Sequence, residues 1–182
     1  LETLDSFAAD GQTHAAHLLA RATEAGLITS IDLVSTPHPR FRDIALSSIP
    51  HSDFIIINEI EAAKILGIPL TSDSPSEALH AATAELVKLG IRRAAVIHTE
   101  RGAWLTTASG ENLHTASLDL PPGYIQGANG AGDAFATGFL YGIHEDWDYE
   151  RCLHLAIRTA TACLSHPTPS GGLKPISECL EM

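Results

Sequence analysis

The stretch Gly127-Ala-Asn-Gly-Ala-Gly-Asp-Ala-Phe135 sets one acid, Asp133, between a glycine-rich turn and a strongly apolar run. From Ala134 to Ile143 the chain reads Ala-Phe-Ala-Thr-Gly-Phe-Leu-Tyr-Gly-Ile, with Thr137 its one clearly polar member. A helix that is apolar nearly all round belongs inside a protein. Gly130 and Gly132 lack side chains, so the backbone there can approach a ligand closely. A helix start also leaves unpaired N–H groups and a partial positive charge, which favour an anion such as phosphate. A carboxylate beside that pocket is placed to take a proton from an attacking hydroxyl, and the chemistry this spells is phosphoryl transfer. The same residues have a structural reading. Asp is a preferred N-cap and is favoured in the first helical turn, so Asp133 can serve only to start the helix. The residues alone leave both readings open.

Asn58-Glu-Ile-Glu61 is a second candidate. Glu61 falls one helical turn after Asn58, so the two can face one way. Asn-x-x-Glu also fits a capping box, with Asn58 as the cap and Glu61 as its answering acid.

Asn129-Gly-Ala-Gly-Asp-Ala-Phe-Ala-Thr-Gly-Phe139 resembles the C-terminal signature of the ribokinase-like (PfkB) carbohydrate kinases. Asn58-Glu-Ile-Glu61 resembles the same family's Asn-x-x-Glu motif, and the two stand in the family's order at about its spacing. The resemblance implies that the backbone of Gly130, Ala131 and Gly132 forms an anion hole and that Asp133 is the catalytic base. It implies that Asn58 and Glu61 serve magnesium and phosphate binding, Glu61 meeting Mg2+ directly or through water. It implies a nucleotide pocket lined by Thr99, Gly102 and the region from Ala156 to Ala160. Arg101 either reaches phosphate there or is an ordinary exposed loop arginine. ATP and Mg2+ are the implied cofactors, and the implied substrate is a sugar or related polyol, with nucleosides and vitamin precursors in the same class. The implied fold is α/β, a ribokinase-like three-layer α/β/α sandwich with a mostly parallel sheet. Because Leu1 already resembles the middle of the family's domain, an N-terminal part with the lid and most sugar contacts is expected to be missing.

Two departures stand out. Many family members read Asp-Thr-Thr before Gly-Ala-Gly-Asp, whereas this chain has Gly127, Ala128 and Asn129, and the lost acid weakens the case for a potassium-type site. The family's Thr-x-Gly loop is replaced by His98-Thr-Glu-Arg-Gly102, and His98 is either a structural strand-end residue or a ligand contact.

The elements that must position these residues are legible in the pattern. Apolar spacing and a Gly26 stop predict a helix from Thr13 to Ala25. Leu27 to Val34 reads as a buried strand, Arg40 to Ser47 as a short helix, and Asp53 to Ile57 as a strand covered on both faces. Glu59 to Leu66 reads as a helix halted by Gly67. A longer helix is expected from Ser74 to Leu89, with Ser74 as N-cap and Pro75 first. Ala94 to Thr99 is a third strand, followed by a hairpin of Gly102–Thr106 and Glu111–Thr115. After an irregular link from Leu118 to Ile125 come helices Ala131–His144 and Tyr149–Ser165, then a tail of mostly loop from Pro167. Strands alternating with helices imply parallel pairing, and ligands in such sheets bind beyond the strands' carboxyl ends. Asn58, Thr99 and the Gly130–Gly132 turn are expected to meet at that rim.

Composition bounds the rest. With 182 residues and 45% hydrophobic content, the chain can bury one sizeable core, which the resemblance implies is a single (partial) kinase domain over residues 1–182. A formal charge of −11 with only Lys64, Lys88 and Lys174 as lysines argues against nucleic acid as a partner. Cys152, Cys163 and Cys179 show no Cys-x-x-Cys spacing and suit reduced thiols in a cytoplasmic protein. His14 and His17 either share a metal or are exposed helix histidines. No apolar run reaches membrane-spanning length, no signal-peptide pattern is expected, and no membrane partner is expected. A second copy of the full-length chain is a further candidate partner. The competing class is a non-catalytic truncated chain that keeps a nucleotide or phosphate site without turnover. A dinucleotide-binding oxidoreductase is disfavoured because no Gly-x-Gly-x-x-Gly follows the first strand.

Overall fold

The computed structural model describes residues 2–182. Helix α1 spans Glu2–Asp5 and α2 His14–Glu24. Strand β1 (Ser30–Ile31) and helix α3 (Phe41–Ser48) come next, then a short 3-10 turn at Ile49–His51, strand β2 (Phe54–Asn58) and helices α4 (Glu59–Leu66) and α5 (Ser76–Lys88). Strands β3 (Ala94–Thr99), β4 (Gly102–Thr107) and β5 (Asn112–Ala116) precede helices α6 (Ala131–His144), α7 (Tyr149–Leu164) and α8 (Ile176–Leu180). The five strands hydrogen-bond in sequence order, and β1 runs parallel to β2 with Ser30 opposite Phe54 and Ile31 opposite Ile55. The protein is α/β, as its alternating elements imply.

The chain forms two compact units, one holding residues up to Ile97 with Trp104–Asn112, the other His98–Ala103 with Leu113–Met182. In the first unit, Phe54 to Ile57 are fully buried, as a run of four large apolar residues requires. Helices α3, α4 and α5 supply Ala45, Ile65, Leu79 and Leu86 to the same core. Trp104 closes it and donates from Nε1 to Ser76 Oγ at 2.7 Å. Asp53, just before β2, is a buried carboxylate that accepts from Thr29 N–H at 2.9 Å and pairs with Arg92 at 2.9 Å. That pairing satisfies a charge that burial alone would penalise.

Helices α2, α4 and α6, and strand β3, lie where the pattern placed them, give or take a residue. Two expectations do not hold. The buried strand over 27–34 shrinks to Ser30–Ile31, and Leu27, Ile28 and Val34 are 61%, 50% and 67% exposed. An apolar run marks a covered strand only when neighbours flank it, and β1 ends the strand order with β2 as its one partner among the described residues. Ser74 does not cap α5. Pro75 holds the N-cap position in an extended conformation, and Ser74 Oγ instead accepts the Thr71 N–H at 2.9 Å. The tail is mostly loop, as expected, and its one short helix, α8, buries Cys179 against Leu155 and Ala162.

In the second unit α6 and α7 pack with little between them. A Cβ on Gly138 would lie 2.9 Å from Ala156 Cα, and one on Gly142 would lie 2.6 Å from Cys152 Sγ. Thr159 Oγ1 donates in this seam, 2.8 Å from the Ala134 carbonyl and 3.0 Å from that of Leu155. Small residues on α6 therefore let α7 fix the axis of the helix whose start carries Asp133.

Candidate active site

Gly130 is the N-cap of α6, with φ 82° and ψ −1°. Only glycine is at ease there, and a Cβ would also lie 2.8 Å from Pro169 Cβ. The segment after α7 thus lies directly on the glycine turn. Gln126 N–H donates to the Leu164 carbonyl at 2.8 Å, and the Cys163 thiol sits 3.2 Å from the Pro169 carbonyl and 3.5 Å from that of Asn129. Burial, and secondarily the Asp133 charge, push the Cys163 thiol up, so it is a protonated, unreactive clasp. Nothing in the tail's loop-like composition signalled this bracing role.

Ala131, Gly132 and Asp133 are the first three residues of the helix. The Ala131 N–H turns back to the Ala128 carbonyl at 3.3 Å, and the Ala134 N–H makes the first helical bond, to Gly130 at 2.9 Å. Among the described residues no acceptor meets the N–H groups of Gly130, Gly132 or Asp133. The free donors of the turn are therefore those three, and the Ala131 amide is held in a long turn bond. Asp133 is exposed, and its carboxylate makes no hydrogen bond among the described residues. It is not the N-cap but the third helical residue. Its main-chain carbonyl accepts the Thr137 hydroxyl at 2.7 Å. An unencumbered carboxylate next to unpaired amides can receive a proton while those amides hold an anion.

His98, at the end of β3, lies against this turn. Its ring centroid is 4.9 Å from that of Phe135. The same strand end leads into the Thr99–Gly102 loop, where Thr99 Oγ1 accepts the Arg101 N–H at 3.0 Å. Arg101 is exposed and its charge acts on His114, whose pKa is lowered chiefly by burial and then by that arginine. Gly102 opens β4, packed 3.0 Å (as a Cβ) from Ala116 Cα. Of the region 156–160, Ala156 and Thr159 are buried against α6, while Arg158 and Ala160 keep partial exposure.

Asn58 and Glu61 belong to the first unit and form the capping box in full. Asn58 Oδ1 accepts the Glu61 N–H at 2.9 Å, and Glu61 Oε2 accepts the Asn58 N–H at 3.1 Å. Glu61 is buried, and Oε1 also accepts from Ser35 Oγ at 2.8 Å. Burial raises its pKa, opposed by the hydrogen bonds from Ser35 and Asn58. Ser35 is a partner that sequence reading missed, although its place in the polar run after β1 was visible. Each Glu61 oxygen keeps a lone pair beyond the bond it accepts, so this donor set fits a hard cation approached through a bound water. No group of three or more His, Cys, Asp or Glu able to hold a metal exists among the described residues. His14 and His17 meet edge to face at 6.3 Å, with His17 Nε2 2.9 Å from Asp10 Oδ2. Cys152, Cys163 and Cys179 are free and buried. No helix among the described residues is long and apolar enough to cross a membrane.

A glycine turn with free amides thus stands beside an open acid at the start of a buried helix of an α/β protein. The model of the pfkB family carbohydrate kinases matches residues 3–175, and the chain belongs to that family. A ribokinase of Arabidopsis thaliana is 29% identical over 143 residues, covering 78% of this chain and 35% of the relative. The solved structure of Arabidopsis thaliana ribokinase complexed with ribose and ATP superposes with a TM-score of 0.78 at 20% identity, over 92% of this chain and 51% of that one. An Escherichia coli protein described as a candidate ribokinase II, in complex with ATP and Mg2+, gives 0.70 at 18% identity, over 90% and 50%. These structures show a ribokinase-like fold. The chain spans about a third to a half of the length of these proteins.

Proposed function

We propose that this chain serves ATP-dependent phosphorylation of a hydroxyl on a sugar or related small molecule, with residues 1–182 acting as one ribokinase-like domain. The observation that carries the reading is the exposed, unbonded Asp133 carboxylate beside the unpaired amides of Gly132 and Asp133. Asp133 takes the proton of the acceptor hydroxyl as that oxygen attacks the γ-phosphate. The N–H groups of Gly130 and Gly132 hold the transferring group, assisted by the helix start, and Ala131 joins them once its turn bond to Ala128 yields. Phosphoryl transfer depends chiefly on such positioning and charge neutralisation. Thr99, Arg101 and Gly102 are assigned to the nucleotide, Asn58 and Glu61 to magnesium-linked phosphate binding, with Glu61 acting through a bound water. Magnesium, when present, neutralises phosphate charge.

Ribose and ATP in the Arabidopsis complex favour a pentose or similar polyol as acceptor. Three free thiols fit a reducing, cytoplasmic setting. Nucleic acid and membrane have no part in this reading, and self-association of the full-length protein remains compatible with it. The test is Asp133→Asn with a panel of pentoses and hexoses. ATP affinity should hold while kcat falls about a hundred- to ten-thousand-fold. Equal turnover in the variant would remove Asp133 from the chemistry, and ATP binding without any wild-type turnover would reduce the chain to a nucleotide-binding protein.

A further inference from the structure

His98 carries a hydrogen-bonding capacity that the protein does not use. Ala94, Ala95, Val96 and Ile97 before it are fully buried apolar residues, and the position calls for another. Instead it holds an imidazole that is part-buried and keeps partial solvent access. One ring face lies on Phe135 at a tilt of 31°. The Cε1–Nε2 edge comes within 3.6 and 3.7 Å of where a Cβ on Gly132 would stand, so it faces the first turn of α6. Neither ring nitrogen has a hydrogen-bond partner among the described residues.

A ring nitrogen that bonds to no described residue and still reaches water is open to an incoming oxygen. An aliphatic residue would cover Phe135 equally well but offer no donor. The unused nitrogen faces the same turn as the unpaired amides of Gly132 and Asp133. We propose that His98 is a phosphoryl-binding residue, its Nε2–H donating to a non-bridging oxygen of a phosphate group held at the start of α6. The proposal rests on the phosphoryl-transfer reading of that turn. Burial lowers the imidazole pKa to about 4, so the ring is neutral near neutral pH and offers one N–H donor and one acceptor. A neutral donor orients the phosphate without adding a fixed positive charge that would hold the product.

The test uses the full chain with nitrogen-15 in its histidines, titrated with inorganic phosphate and separately with magnesium–ATP. In the wild type the His98 ring nitrogens should show the neutral Nε2–H tautomer and shift in step with ligand occupancy. His98→Val should weaken magnesium–ATP binding about tenfold, the scale of one hydrogen bond to a charged group, and His98→Gln should recover part of it. If the wild type binds magnesium–ATP while the His98 resonances stay put, His98 only packs on Phe135, and the phosphoryl-transfer reading survives. Equal affinity in a folded His98→Val chain would likewise leave His98 as a packing residue. If the wild type binds neither phosphate nor magnesium–ATP, that reading falls and the role of His98 falls with it.

Discussion

Acidification should destabilise this protein through one histidine, by an amount that can be worked out. Folding holds the His98 imidazole at about 4 against an ordinary 6.5, because burial penalises the charged ring. The folded value is the lower one. Between the two values the unfolded chain therefore binds the extra proton, and stability falls as pH falls. Above about pH 6.5 both states are neutral and the group contributes nothing further. A gap of about 2.5 pH units, at about 1.4 kcal/mol each, is a loss of about 3 kcal/mol on going from pH 7 to pH 4. Against a typical total of about 5–15 kcal/mol that is a large share. Other groups titrate in the same window. Burial also lowers the His114 pKa, and it raises that of Glu61, whose linkage has the opposite sign and is lost as pH rises through its folded value. Both remain in a His98→Val chain, so the difference between the two proteins isolates His98. Urea midpoints across that range, converted with a common slope, should show the wild type losing about 3 kcal/mol more than the variant. Parallel curves would refute the argument, since they would mean the imidazole is not shielded from water in the folded state.

Gly138→Ala should strain the seam between α6 and α7, where its Cβ would lie 2.9 Å from Ala156 Cα and 3.1 Å from Ala156 N. Overpacking of this kind costs about 1–3 kcal/mol, and a thermal melt should drop by roughly 2–4 °C for each kcal/mol. An unchanged melt would show that the helices can separate freely. Glu61→Gln preserves the capping box geometry, so the unfolding free energy from urea melts should change by less than about 1 kcal/mol. Magnesium-dependent ATP binding, followed by calorimetry, should weaken nonetheless; equal binding in this variant would leave Glu61 as a cap alone.

The parts of the fold that were legible rest on strong local chemistry. Gly67 and Gly90 end their helices as left-handed glycines do, at φ 69° and 120°. The four-residue apolar run of β2 reads as a covered strand and is one. What escaped depended on who the neighbours are. Leu27 and Val34 look like core residues until β1 proves to lie at the end of the strand order. Ser74 looks like a cap until the extended backbone of Pro75 takes that place. For the candidate site, the glycines and Asp133 were visible at once, whereas Ser35, Cys163 and Pro169 were not. Their contributions are a hydroxyl on Glu61, a thiol on two carbonyls and a ring on Gly130, and such pairings have no spacing in sequence.

The two halves of the Asp133 question meet in how the turn is held. If Asp133 were the N-cap of α6, its side chain would be bonded to a backbone N–H, whereas an acid in the first turn needs no such bond. The turn is instead supported from outside. Pro169 limits Gly130, the Cys163 thiol spans two carbonyls, and Thr159 on α7 donates to the Ala134 carbonyl. With its geometry fixed by those contacts, the turn can leave the amides of Gly132 and Asp133 unpaired and the carboxylate open. Donors at an open helix start are met by water until a ligand replaces it. That bracing supports the proposed role of the turn as a site for a phosphate that comes and goes.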